Sequence, residues 1–354
     1  MNGGDLTVYT YQGSAFTSSG SSSSGNNPWS SGRPGGGGMG GDGNSNKTDI
    51  SAKGIKAVGI YDAAGTTWQS GGNITINGGN ISIDSSDDSI HCGGDMLLKG
   101  GILKLASADD AAHSDHDLTI GQNSADVFDD IQIFVSKAYE GIEAQNITQN
   151  SGTVIVNSTD DGYNAAGGAD GSGNGNNMGW GPGNMGTSGG NYSLNIKGGF
   201  VLVNVTDGDH DGFDSNGSLT ISGGYAITNG NEPFDADGSL SCTGGVFVEN
   251  TGSGGMQMGA GLSASVSASG SASAGTRITL VGSDNQVIVS FIAGKNVSQF
   301  KAGGTNVSGA SFYTGGTLSG STYFQTEDQN QLAAFGGTLS GGTQVTGSGN
   351  SSRF

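Results

Sequence analysis

The sequence predicts an all-β chain wound as a right-handed parallel β-helix, a solenoid, followed by a smaller β-rich appendage. Three in-phase observations predict it. First, glycine pairs recur ahead of alternating apolar residues: Gly78-Gly79 before NISI, Gly100-Gly101 before ILKL, Gly198-Gly199 before FVLV, Gly223-Gly224 before YAIT and Gly244-Gly245 before VFVE, with Ser151-Gly152 before TVIV as a weaker copy. Gly78 and Gly100 are 22 residues apart, Gly198 and Gly223 are 25, and Gly223 and Gly244 are 21. Three short strands and three turns fill one coil of about that length. Second, an acidic–x–apolar–polar marker keeps the same phase: Asp88–His91, Asp110–His113, Glu140–Glu143, Asp161–Asn164, Asp211–Asp214 and Glu232–Asp235. Third, a further apolar column follows the marker, as MLL at 96–98, LTI at 118–120, LNI at 194–196 and LTI at 219–221. An antiparallel sandwich would give turn signals every 8–12 residues and no longer period.

Each element follows in order. Residues 1–49 comprise an N-terminal strand, Leu6 to Tyr11, and a Ser/Gly/Asn-rich low-complexity tract. Residues 50–260 are the solenoid, with regular coils from about Ile55 to Glu249 and a Gly/Asn/Met insertion around 167–190. Within each coil, side chains alternate in and out with a period of two. Stacked Ile, Val and Leu then build a core that no single coil could bury alone. Residues 261–354 carry looser β patterns (TRITLVGS, QVIVSFIAG, ASFYTGG) and read as a cap or small β-domain.

Composition narrows the function. Of 354 residues, 71 are glycine and only 4 are proline, which excludes a collagen repeat. The net charge of −19, from 31 acidic and 12 basic residues, argues against nucleic acid, whose phosphates demand Lys and Arg. No run approaches the roughly 18 apolar residues of a membrane span. The opening MNGGDLTVYT lacks the basic and apolar regions of a signal peptide, which leaves a cytosolic protein or a numbering that starts after a removed leader; sparse Lys and abundant Ser, Thr, Asn and Gly favour the second. Cys92 and Cys242 lie too far apart along the axis for a disulfide and are expected to be buried thiols.

The acidic marker carries the chemistry. Adjacent rungs of a parallel stack are about 4.8 Å apart, so repeated acids make a carboxylate ladder. At that spacing unit charges repel by roughly 3–4 kcal/mol at an effective dielectric near 20. Such a ladder must be neutralised, protonated or splayed into solvent, and its oxygen ligands suit calcium. The candidate ligands are Asp87, Asp88, Asp109, Asp110, Asp160, Asp161, Asp207, Asp209, Asp211 and Asp214. The competing reading is that Asp merely favours turns. His91 and His113 are equivalent one coil apart and read as turn histidines bonding the ladder rather than as a transition-metal site. No nucleophile motif is present. Lys99, Lys104, Lys137 and Lys197, the lysines of the regular coils, do not neighbour an acidic doublet, so a lyase base is missing. Tyr139, Tyr163, Phe213 and Phe234 recur near the marker, either as sugar-stacking rings or as core.

The succession DSSDDSIHCGGDMLLKGGILKLASADDAAHSDHDLTI, YEGIEAQNIT, STDDGYNAAGG, DGFDSNGSLTISGG and SGGMQMG resembles a bacterial family of carbohydrate-binding parallel β-helices related in shape to pectate lyases. The resemblance covers roughly residues 50 to 260. It implies secretion or cell-surface placement, calcium held by Asp87, Asp88, Asp109, Asp110, Asp160, Asp161, Asp211 and Asp214, and binding of plant cell-wall polysaccharide without established catalysis. Ser89 and Ala111 stand where that family's pattern has glycine. Two function classes follow: a calcium-dependent glycan binder, or a structural subunit that self-associates into filaments, the N-terminal strand adding to a neighbouring copy.

Overall fold

A computed structural model describes residues 1–16, 52–63, 68–122, 128, 130–166, 192–206, 210–251, 262–324 and 333–346. Among these, the chain is all-β, with a single three-residue 3-10 turn, Gly13–Ala15. One sheet joins twenty strands, and the others hold six, two and two. No helix among the described residues is long and apolar enough to cross a membrane.

The large sheet is built from three columns of parallel strands that recur coil after coil. The glycine-pair column runs Asn2–Tyr9, Gly78–Ser85, Gly101–Ser107, Ile131–Ala138, Thr153–Ser158 and Phe200–Val205, and then takes in the second halves of Ser218–Thr228 and Leu240–Thr251. The marker column runs Ile55–Ala57, Ile90–Cys92, the start of Ala112–Ile120, the start of Ile142–Gln149, Tyr163–Ala165, Asp211–Ser215 and Glu232–Phe234. The third column runs from Ile74–Ile76 through Met96–Leu98 and the ends of Ala112–Ile120 and Ile142–Gln149 to Ser193–Ile196, Ser218–Thr228 and Leu240–Thr251. Side chains facing inward from all three form one core, from Ile81, Leu103 and Ile133 to Leu194, Val203 and Phe247.

Glycine at the second position of each pair is a geometric requirement. Gly199 and Gly224 have φ of 78° and 68°, and a Cβ on either would stand 2.4 Å from the carbonyl oxygen of the equivalent glycine one rung earlier. The chain turns there in a left-handed conformation that only glycine adopts freely, with the rungs in close approach.

The N-terminal strand does not stand alone. Asn2–Tyr9 pairs in parallel with Gly78–Ser85, which adds one rung to the glycine-pair column within the same chain. At the other end, Leu240–Thr251 pairs antiparallel with Val297–Gly304, which in turn pairs with Val266–Ala272. The six-stranded sheet, including Arg277–Val281, Val287–Ile292 and Ser311–Thr314, lies against the outer face of the late rungs. Ile155, Phe200, Leu202 and Ile227 point outward into this second core beside Ile278, Leu280, Val289 and Phe291. The strands Thr153–Ser158 and Phe200–Val205 are therefore buried on both faces. Early rungs such as Gly78–Ser85 keep a polar outer face, with Asn80 and Ser82 exposed.

Cys92 is buried and Cys242 is only half-buried, and both are free thiols.

Candidate functional site

The turn that enters the marker column places charged side chains at equivalent positions on successive rungs. Register equates Lys53, Asp88, Asp110, Glu140, Asp161, Asp211 and Glu232, two residues ahead of the buried apolar position. It likewise equates Lys56, His91, His113, Glu143, Asn164, Asp214 and Asp235 one residue after it. The first copy of the marker, Lys53-Gly54-Ile55-Lys56, thus carries the opposite sign.

This inversion divides the ladder in two. At the N-terminal end the chain brings its own cations. Lys53 Nζ lies 3.0 Å from Asp87 Oδ1 and 2.5 Å from Asp88 Oδ2, with its side chain only 4% exposed. His91 Nδ1 is 2.7 Å from Asp88 Oδ2. His113 Nδ1 sits 3.0 Å from Asp110 Oδ2 and 2.8 Å from Glu143 Oε2. Burial raises the Asp87 carboxyl, with the Asp88 charge adding to it. Burial also pushes Asp88 upward, but the His91 bond and the His113 and Lys53 charges leave it below the ordinary carboxylate range. Burial works against a charged His113, yet Glu143, Asp110 and Asp115 together hold it well above its usual value. His91 and His113 stack with ring centroids 4.7 Å apart and planes 19° apart.

Toward the C-terminal end the column is carboxylate on carboxylate. Asp161 accepts the Asp211 backbone N–H at 2.9 Å. Burial, then the neighbouring Asp214, Asp160 and Asp211, raise its carboxyl well above normal. Asp211 is pushed up to about 9 by burial and by Asp214, Glu232, Asp235 and Asp160. Carboxylate oxygens of Asp211, Asp214 and Asp235 lie within 4.8 Å of one another, as do ligand atoms of Asp160, Asp161 and His210. Asp160 also pairs with His210. Asn164, one rung before Asp214, donates from Nδ2 to Glu140 Oε2 at 3.1 Å, while its Oδ1, buried, makes no hydrogen bond.

Of the ten aspartates singled out from the sequence, Asp87, Asp88, Asp109 and Asp110 fall in the neutralised half. Asp160, Asp161, Asp211 and Asp214 fall in the acidic half, and Asp207 and Asp209 lie outside the described residues. Sequence reasoning missed Lys53, because the marker was sought as an acid, and Asp115, which has no repeat partner of its own type. Three of the four marker aromatics are core, Tyr139 being half-buried: Tyr163 and Phe213 have rings 5.3 Å apart, and Phe213 and Phe234 stack at 4.9 Å, all three fully enclosed. They are not available to a sugar. The exposed large apolar side chains among the described residues are Met1, Tyr9, Tyr11, Val58, Ile60 and Tyr61.

A family model described as carbohydrate-binding domain-containing protein matches residues 1–111. No curated protein and no solved structure matches the chain.

Proposed function

We propose that this chain is a non-catalytic carbohydrate-binding module, secreted or held at the cell surface, built on a right-handed parallel β-helix and reinforced by calcium. One observation carries the sugar reading: among the described residues, every exposed large apolar side chain, Tyr9, Tyr11 and Tyr61 among them, falls inside the stretch the carbohydrate-binding family model matches. Solvent-facing tyrosines offer a flat apolar face and a hydroxyl at one time, the chemistry that a pyranose ring with its equatorial hydroxyls pairs with. The parallel pairing at a 21–22-residue period supports the helical winding.

The acidic half of the column fits calcium. Asp211, Asp214 and Asp235 offer only oxygen donors and are already gathered, and the buried Asn164 Oδ1 supplies an unengaged neutral oxygen one rung away. Hard cations take such sets, with carboxylates mixed with amide carbonyls. Bound there, calcium would supply positive charge beside these carboxylates. Of the two lysines in the same column, Lys53 is enclosed and bonded to Asp87 and Asp88, where it cannot act as a lyase base, and Lys56 is exposed on the first rung beside His91.

Retention on insoluble cellulose and on polygalacturonate tests the binding. The wild-type protein is expected to bind at least one of them, with no ultraviolet signal from unsaturated uronides. Each of Tyr9→Ala, Tyr11→Ala and Tyr61→Ala is expected to weaken binding roughly two- to tenfold, the worth of one aromatic contact at about 0.5–1.5 kcal/mol. Retention unchanged in the triple variant overturns the tyrosine surface. A filament-forming subunit remains the second reading, favoured by the outer edge of Asn2–Tyr9, for which the described residues give no second partner strand. Concentration-independent light scattering of a monomer in calcium would exclude it.

A further inference from the structure

A cleft of about 970 Å³ opens where the six-stranded sheet meets the outer face of the last rungs. Part of its lining is bare backbone: Gly224 and Gly245, the turning glycines of two successive rungs, carry no side chain into it. The rest comes largely from the turn ahead of Val287–Ile292 and the loop after Val297–Gly304. Hydrogen bonds fix both. The Thr305 N–H donates to Gly245 O at 2.7 Å, and the Gly282 N–H to Gln286 O at 2.8 Å. The shape is thus built into the fold, and its volume lies at the upper end of the roughly 300–1,000 Å³ typical of ligand pockets.

The side chains say what fits. Phe128, Tyr225 and Phe335 line the cleft, each half-buried. All three gather on the enclosed Phe324, with ring centroids 4.8, 5.8 and 5.1 Å from it. Phe324 holds them in place, and the surface it leaves uncovered is offered to the cleft. Beside the rings stand the exposed amides of Gln286 and Asn306. An amide both donates and accepts hydrogen bonds, as a sugar hydroxyl does, while the rings suit the C–H face of a pyranose. Charge then chooses between sugars. Asp284 is the one charged side chain among the described residues of the lining, so no lysine or arginine there receives a carboxylate. The whole chain carries −19. Like charges brought together at an interface oppose binding, so a uronate is disfavoured and a neutral ring is not.

We propose that this cleft is a second saccharide subsite that takes a single neutral oligosaccharide chain, with Tyr225 and Phe335 against ring faces and Gln286 and Asn306 on the hydroxyls. The proposal rests on the carbohydrate reading but not on the tyrosine surface, for every residue of the lining falls outside the matched stretch, residues 1–111. The two places divide the work. Exposed tyrosines meet the face of an insoluble polymer, whereas a cleft admits one free chain.

Calorimetric titration of the full chain carrying Tyr9→Ala, Tyr11→Ala and Tyr61→Ala isolates the cleft. Cellotetraose, xylotetraose and mannotetraose are the neutral probes, and tetragalacturonate the acidic one. At least one neutral tetramer is expected to saturate at one equivalent. Adding Asn306→Gly should weaken it about two- to tenfold, the worth of one hydrogen bond. Asn306 has φ of 63°, a conformation glycine adopts freely, so the fold is retained. Phe335→Ala should weaken binding by a similar factor, with circular dichroism separating a lost contact from a lost fold. The cleft is overturned if no neutral tetramer binds, if Asn306→Gly and Phe335→Ala together leave the titration unchanged, or if tetragalacturonate binds and Asn306→Gly weakens it. In each case the carbohydrate reading stands if the unmodified chain is still retained on cellulose or polygalacturonate, and falls with the cleft if it is retained on neither.

Discussion

Replacing Lys53 by methionine is expected to destabilise the fold by roughly 3–5 kcal/mol, the cost of removing one partner from a buried ion pair. The size follows from geometry. Lys53 Nζ contacts both Asp87 and Asp88, whose side chains are 5% and 0% exposed, and Asp88 lies directly below Asp110 in the column. Methionine keeps most of the stem's packing but leaves two adjacent carboxylates in a site closed to water. Urea denaturation at pH 7 should show the midpoint falling with the m-value unchanged. Adding Asp87→Asn and Asp88→Asn to Lys53→Met should recover part of the loss, since the three side chains act as one network. A single variant within 1 kcal/mol of wild type would mean that the Lys53 contacts do not hold the doublet in place.

The parallel pairing of the large sheet was legible because its three strand columns share one period, and parallel stacking preserves that period in space. Where the C-terminal sheet docks was also written in the sequence, though in a subtler form. NISI and ILKL alternate or carry Lys104 outward, whereas TVIV and FVLV are continuously apolar, the pattern of strands buried on both faces. Ile155, Phe200 and Leu202 are the outward residues that needed a cover, and the six-stranded sheet provides it. The site was half legible. Columns of acids announced a ladder, but the reversal at Lys53-Gly54-Ile55-Lys56 hides from a search for carboxylates. Asp115 was hidden for a different reason. Its strand changes register between Ser114 and Asp117, and the irregularity brings to the histidines a side chain that no period foretells. The exposed tyrosines lie outside the repeat motif altogether, where a lone aromatic carries no signal of its own.

Calcium removal is expected to make the stability of this protein fall as the pH rises from 5 to 8. Asp211 titrates near 9 in the fold, against about 3.9 in an unfolded chain. Between those values the folded chain holds a proton that the unfolded chain has released, so stability is greatest at the acid end. It declines by up to about 1.4 kcal/mol per pH unit for each such group. Asp161, raised by the same neighbours, adds in the same direction. Over three pH units Asp211 alone accounts for roughly 4 kcal/mol at most. Calcium acts on the ionised form. At one hundred times its dissociation constant it returns about 2.7 kcal/mol by mass action, and it gains hold as protons leave. Thermal melts at pH 5, 6.5 and 8 in chelator should therefore drop by several degrees, while melts in millimolar calcium should stay nearly level. Asp211→Asn removes one of the two groups responsible and should lessen the slope of the chelator series while blunting the response to calcium. The C-terminal carboxylates are not a calcium site if the two series superimpose at every pH. They are not even strained if the chelator series rises toward pH 8.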